Sequence, residues 1–144
     1  MAAAQHSVSI RRPVAEVFAF VADGTNARRW RPGVLDVSHQ SGGGLGAAYR
    51  QGVKGPGGRR IAADYEVTEF EPGKRLAFRA IAGPVRPHGE YLFTANDEGT
   101  TVSLSLDATL NCWKRLLMSR AVQSTMNAEV RNLDTLKSIL EADR

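Results

Sequence analysis

The segment from Asn111 to Arg144 constrains the fold more than any other part of the sequence, because it is long, keeps one helical period and contains no glycine or proline. At 100° per residue, its apolar positions fall on one side and its polar positions on the other. The apolar stripe consists of Met118, Val122, Met126, Val130, Leu133, Leu136 and Leu140. This pattern predicts an amphipathic helix that packs on another layer of structure.

The chain before this helix predicts a sheet. Residues 7–12 alternate as a strand does, and residues 13–31 predict two short helices that begin at Pro13 and Thr25. From Val34 to Leu110, alternating segments are separated by turns rich in glycine and proline, which predicts about six further strands. The clearest of these covers residues 59–70. We therefore expect an α+β fold with a curved seven-stranded antiparallel sheet on a long C-terminal helix.

Composition limits the possible functions. A chain of 144 residues, 42% of them hydrophobic, suits one domain over residues 1–144, in which we expect residues 1–6 to be disordered. The single cysteine, Cys112, excludes an internal disulfide, and no apolar run approaches the ~18 residues of a membrane span, so we expect a cytoplasmic protein. The formal charge of +4 is spread among 15 acidic residues, which does not indicate a specific nucleic-acid partner.

A sheet of about seven strands should also leave room for a ligand. Twist curls a sheet of this width, and one helix laid across its concave face does not fill the enclosed volume. Cavities of this kind are mostly apolar with a few polar groups. The expected partner is therefore a hydrophobic small molecule, and the protein is expected to be a monomer or a homodimer.

Several turn and core motifs carry a family resemblance. They are Ile10-x-x-Pro13-x-x-x-Val17-Phe18-x-x-Val21-x-Asp23, Trp30, Gly44-x-Gly46-x-x-Tyr49-Arg50, Glu71-Pro72-x-Lys74-Arg75-Leu76 and Gly99-Thr100-Thr101-Val102. With these motifs the chain resembles, from end to end, the polyketide cyclase/dehydrase branch of the START-like (Bet v 1-like, SRPBCC) superfamily. The resemblance implies a helix-grip fold around a deep ligand cavity. Its members include aromatase/cyclases, lipid and hormone carriers, quinone-binding proteins, a ribosome-association toxin and chaperone activators.

Strand parity, the helix stripe and this resemblance together select the candidate ligand-binding residues. They are Trp30, Tyr49, Gln51, Tyr65, Phe78, Tyr91, Phe93, Arg115, Met118, Val122 and Met126. Each tyrosine offers an aromatic wall and one hydroxyl that can donate or accept a hydrogen bond, which suits a phenolic or polyketide-like ligand. The alternative is that they are core tyrosines whose hydroxyls reach the rim of the sheet.

Three residues are candidates for catalysis. Arg115, near the start of the helix and on the side of its apolar stripe, could hold a carboxylate, phosphate or enolate, or could instead extend to solvent or pair with an acid. His88, in a loop beside a strand, could act as a general base, and Tyr65 could move a proton. On the same helix stripe, Glu129 is expected to form a salt bridge, whereas Arg79 should lie on the outer face of the sheet.

Neither a metal nor a cofactor is predicted, because the three histidines are scattered and no phosphate loop or nucleophile elbow is present. In the basic run Arg28–Arg31, we expect Trp30 to pack at the cavity rim with solvated arginines around it. Three functions remain open. They are binding of a hydrophobic ligand, metal-independent cyclase/dehydratase chemistry in the same cavity, and a protein-interaction module that uses Trp113, Leu116, Leu117 and the basic run.

Overall fold

The structure, a computed structural model, describes residues 2–83, 86–108 and 112–142, without the side chains of residues 2, 56, 112–119, 121 and 122. Eight strands and four α-helices follow one another along this part of the chain. In order they are β1 (Ala2–Ile10), α1 (Val14–Ala22), α2 (Ala27–Trp30), β2 (Val34–Ser41), β3 (Ala48–Lys54), β4 (Arg60–Ala62), β5 (Tyr65–Glu71), β6 (Arg75–Ala80), β7 (His88–Ala95), β8 (Thr100–Ala108), α3 (Cys112–Arg131) and α4 (Leu133–Ala142). This order confirms the α+β helix-grip fold.

The strands form one antiparallel sheet in the order β1-β8-β7-β6-β5-β3-β2, with β4 paired to β3. The sheet has eight strands rather than seven because residues 59–70, predicted as one strand, form β4 and β5. At the interruption, the side chain of Asp64 accepts a hydrogen bond from the backbone N–H of Gln51 at 3.1 Å, in place of a backbone carbonyl. A polar side chain can thus replace a backbone carbonyl as the acceptor in a sheet. The alternation of polar and apolar residues does not reveal such a replacement.

The sheet is curved because its ladders are interrupted on the β2–β5 side. The register shifts between Val67 and Glu69 in the β5–β6 pair and at both ends of the β2–β3 pair. Such bulges bend a strand and increase its twist. The concave face carries buried residues such as Val102, Leu104 and Leu106, which alternate along β8 with half-buried residues of the opposite face. The helices cover this concave face.

The C-terminal helical segment buries the predicted stripe as far as its side chains are described. Met126, Val130 and the leucines of α4 are at most 5% exposed. The segment divides at Asn132, between α3 and α4. Asn132 donates its backbone N–H to the carbonyl of Glu129 at 3.1 Å, three residues back, which closes a tighter turn than an α-helix has. None of the described helices is long and apolar enough to cross a membrane.

Residues 2–6 are ordered, in contrast to the expectation of disorder over residues 1–6, of which residue 1 lies outside the described part of the chain. β1 begins at Ala2 and pairs with β8 along its whole length, from Ala2 opposite Ala108 to Ile10 opposite Thr100. Gln123 of α3 also bonds both backbone groups of Ala3. A short polar segment is therefore ordered by long-range pairing, which its own composition does not indicate.

Two short helices, α1 and α2, connect β1 to β2. α1 follows Pro13 as predicted and buries Val17, Phe18 and Val21. The second predicted helix is a 3-10 turn over Gly24–Asn26 followed by α2, and Asp23, rather than Thr25, provides the cap by accepting the N–H of Thr25 at 3.0 Å.

Glu141 links α4 to the end of β1. It accepts hydrogen bonds from Lys137 Nζ at 2.8 Å and from the backbone N–H of Arg11 at 2.9 Å, and these contacts lower its pKa from 4.5 to about 2. A folded-state pKa below the unfolded value means that this stabilisation is present above pH ~4.5 and is lost as the pH falls towards 2. Glu141→Gln should therefore flatten the dependence of unfolding free energy on pH in that interval, measured by urea unfolding. Glu98→Gln, in an exposed turn, should keep the wild-type slope, and an unchanged slope in Glu141→Gln would contradict this role.

Candidate functional site

A cavity of about 380 Å³ lies between the concave face of the sheet, the α1–α2 segment and α3. Its wall is mainly apolar and includes Val67, Leu76 and Leu104, which are buried. The exposed residues of its lining are Asp23, Lys54, Ala62 and Thr125. Its volume lies within the range of small-molecule sites.

Aromatic rings from four neighbouring strands form one wall. Tyr49 and Tyr65 stack with ring centroids 5.1 Å apart, Tyr65 meets Phe78 at 5.7 Å, and Phe78 meets Tyr91 at 5.9 Å. Trp30 of α2 approaches the ring of Tyr91 edge-on at 6.3 Å. Side chains that point to the same face of adjacent strands make this continuous surface, and it suits a flat, apolar ligand.

Close packing at Gly24 holds the α1–α2 segment against this wall. A Cβ atom at Gly24 would overlap the hydroxyl oxygen of Tyr65 and would lie 2.8 Å from Cε2 of Tyr49. Gly33, which also lines the cavity, has open space at the corresponding position. The absence of a side chain at Gly24 therefore allows both tyrosine rings to occupy their observed positions.

A charged pair forms the polar end of the cavity. Nε of Arg31 donates to Oε1 of Glu129, and Nη1 of Arg31 donates to Oε1 of Gln51 at 3.2 Å. Gln51 in turn donates to the carbonyl oxygen of Ala63 at 3.2 Å, and Asn132 donates to Oε2 of Glu129 at 3.3 Å. The Arg31 and Glu129 side chains are only 17% and 24% exposed, so this network is held inside the protein.

Burial and neighbouring charges shift the pKa values of Arg31, Tyr65 and Tyr91. Burial by itself lowers the pKa of Arg31, but the Glu129 carboxylate, with smaller contributions from Tyr91 and Tyr65, raises it above the usual value. Burial raises the pKa of both Tyr65 and Tyr91, and the nearby Arg31 only partly opposes that shift. At neutral pH the site therefore contains the Arg31 guanidinium and two neutral phenols, and each phenol can donate or accept a hydrogen bond.

The hydroxyls of Tyr65 and Tyr91 form no hydrogen bond with the part of the protein that the structure describes. Among the described residues, only Thr68 Oγ1 is a side-chain N or O atom that is both fully buried and without a partner. The two tyrosine hydroxyls therefore keep some accessible surface. Tyr91 as a whole residue is buried, with 6% of its surface exposed. A buried phenol without a protein partner is expected to bond to a ligand or to water in the cavity.

The structure brings most of the predicted ligand-binding residues together. The cavity is lined by Trp30, Tyr49, Gln51, Tyr65, Phe78, Tyr91 and Met126. Phe93 does not line it, because its ring packs in the core 5.1 Å from Phe18. Arg115, Met118 and Val122 lie outside the described side chains, so the role suggested for Arg115 stays a prediction.

Two other candidates lie away from the cavity. His88 begins β7 with a side chain 48% exposed, and its Nδ1 is 3.7 Å from Oδ2 of Asp107. The strand places it on the convex face, whereas the sequence suggested a loop beside a strand. Arg79 is also on the convex face, as expected, and pairs with Glu66. Among the described residues, no group of three metal-ligating side chains converges.

Sequence reasoning misassigned Arg31, which was expected to be solvated. Within the basic run, Arg28 and Arg29 are exposed and Trp30 is 3% exposed, but Arg31 lines the cavity. Arg31 follows the last residue of α2 and has an extended backbone, with φ −116° and ψ 93°. Its side chain therefore does not follow the helix surface on which Arg28 and Arg29 lie. The Pro32-Gly33 helix stop was the available signal for this change of direction.

Comparisons with known proteins agree with this geometry. Residues 1–141 match the protein family described as polyketide cyclase/dehydrase and lipid transport. No curated protein sequence matches the chain significantly. Among solved structures, a Thermus thermophilus protein has a TM-score of 0.80 at 22% identity and 99% coverage of both chains. A Deinococcus radiodurans protein has a TM-score of 0.71 at 21% identity, again with 99% coverage of both.

The di-domain aromatase/cyclase StfQ of the steffimycin biosynthetic pathway has a TM-score of 0.82 at 14% identity, over 97% of this chain and 50% of StfQ. At such identities these structures show a common fold. The family match, in contrast, covers nearly the whole sequence and agrees with the cavity-containing fold described above. The chain therefore belongs to the polyketide cyclase/dehydrase and lipid transport family.

Proposed function

We propose that this protein binds a hydrophobic small molecule, aromatic or polyketide-like, in the cavity between the sheet and α3. The observation that carries the proposal is an apolar, aromatic-walled cavity into which Tyr65 and Tyr91 present hydroxyls without a partner among the described residues. The aromatic wall provides apolar contact area, and the hydroxyls orient a polar group of the ligand. Membership of the family and the likeness to StfQ support a role in ligand binding or cyclisation.

Binding of N-phenyl-1-naphthylamine, an uncharged dye that fluoresces in apolar surroundings, tests this proposal. The wild-type protein should give a saturable rise in fluorescence, and Gly24→Ala should weaken binding by about fivefold or more, because its Cβ pushes Tyr65 and Tyr49 from their positions. The matched control Gly33→Ala adds the same methyl group in open space and should stay within about twofold of the wild type.

Native mass spectrometry of the purified protein, followed by extraction, would identify any small molecule that remains bound. A co-purified hydrophobic compound that the dye displaces would support the proposal. No saturable dye binding to a folded wild-type protein, together with no retained molecule, would overturn it.

A second candidate function is cyclisation or dehydration of a polyketide-like chain, and the position of Arg31 favours it. A guanidinium beside two neutral phenols can stabilise an enolate oxygen, and a phenol can transfer a proton. Tyr91→Phe separates the two functions in an assay with a polyketide substrate. Loss of turnover with retained binding would support catalysis, whereas a binding protein would show no turnover in the wild type.

A further inference from the structure

The charges around the cavity are balanced in a way that bears on ligand choice. Among the described lining residues, four are charged: Asp23, Arg31, Lys54 and Glu129. Asp23 is exposed and caps the 3-10 turn, and Lys54 is exposed at the end of β3. The two charges held inside the site, those of Arg31 and Glu129, neutralise each other. Within the part of the chain that the structure describes, the polar end of the cavity therefore offers a ligand no net charge.

Hydrogen-bond donors nevertheless remain available there. Arg31 uses Nε for Glu129 and Nη1 for Gln51, while Nη2 has no hydrogen-bond partner among the described residues. The hydroxyls of Tyr65 and Tyr91 also have no hydrogen-bond partner within that part of the chain, and both side chains line the cavity with Arg31. Arg31, Tyr65 and Tyr91 all line the cavity, so each of these groups can donate to an oxygen atom of a ligand there.

A carboxylate and a neutral oxygen would meet this arrangement differently. A ligand carboxylate would either share Arg31 with Glu129, which places two like charges close together away from bulk water, or displace Glu129 and leave it buried without a partner. A ketone or hydroxyl oxygen can instead accept from Nη2 and the phenols while the ion pair stays intact. The arrangement therefore favours an uncharged ligand.

Building on the function proposed above, we propose that the cavity selects an uncharged ligand whose carbonyl or hydroxyl oxygen lies against Arg31, Tyr65 and Tyr91, and that Glu129 excludes carboxylates. Glu129 thus acts as a specificity determinant in the wall of the site. Ketones, quinones and phenols belong to the accepted class, whereas fatty acids and aromatic acids do not.

The first test compares two probes of nearly equal shape, 2-acetylnaphthalene and 2-naphthoate, by displacement of N-phenyl-1-naphthylamine at pH 7.5. The first carries a methyl ketone where the second carries a carboxylate. The wild-type protein should bind the ketone at least about tenfold more tightly. If the dye binds but the naphthoate displaces it as well as the ketone does, the selectivity proposal is overturned and the proposed function stands. If no uncharged probe binds at all, both are overturned.

The second test uses Glu129→Gln, which removes the negative charge and keeps the shape of the side chain. Relative to the ketone, naphthoate should gain at least about tenfold in affinity, because Arg31 is now free to pair with it. Glu66→Gln, which removes a carboxylate that pairs with Arg79 on the convex face, is the matched control and should change neither affinity. A folded Glu129→Gln variant with the wild-type preference would overturn the role of Glu129.

Discussion

Glu129→Leu should lower the free energy of unfolding by about 3 kcal/mol, because it leaves the charge of Arg31 inside the protein without its partner. Breaking a buried ion pair from one side is far more destabilising than removing the pair. Since Arg31 and Glu129 keep 17% and 24% of their exposure, we expect the lower end of the range for such pairs. Urea unfolding at pH 7 measures the effect.

The double variant Arg31→Met/Glu129→Leu shows whether the unpaired charge is the cause. It should regain most of the stability lost in Glu129→Leu, since neither charge remains. Asp36→Leu breaks an ion pair of a different kind, with Arg60, in which both side chains are 41% or more exposed. It should cost much less than Glu129→Leu. Equal losses in the double variant and in Glu129→Leu would contradict this explanation.

Leu136→Ala should destabilise the protein by a similar amount, about 3 kcal/mol, through loss of apolar contacts and the space left behind. Leu136 lies in α4 and is completely buried in the core between helix and sheet. For a chain of this length, that loss corresponds to a fall in melting temperature of about 10 °C. Thermal unfolding followed by circular dichroism measures it.

Leu45→Ala is the matched control for Leu136→Ala. It removes the same atoms from a turn residue that is 67% exposed, so the melting temperature should change little. Equal melting temperatures of the two variants would contradict the packing of α4 against the sheet.

The Arg31–Glu129 pair links the stability of the fold to the chemistry of the cavity. Arg31 follows α2, Glu129 lies in α3, and Gln51 of β3 completes the network, so one set of contacts joins two helices and the sheet. The same contacts set the charge at the polar end of the cavity. Variants at these positions should therefore be assayed for stability and for binding together.

Much of the architecture could be predicted from local patterns. The stripe from Met126 to Leu140 is buried, and most strand positions follow from polarity alternation and turn residues. The predictions were wrong where contacts between distant parts of the chain determine the local structure. Asp64 interrupts a strand by bonding the backbone of Gln51, and residues 2–6 are ordered by pairing with β8.

The sequence by itself determined the order of most elements, the faces that they bury and most of the aromatic strand positions that line the cavity, because side-chain periodicity reports burial within each element. Only the tertiary structure decided which polar groups meet there. Arg31 and Glu129 are separated by 98 residues, and neither periodicity nor composition relates two such positions. The backbone turn after α2 and the packing of α3 on the sheet bring them together, so the charge of the site depends on the complete fold.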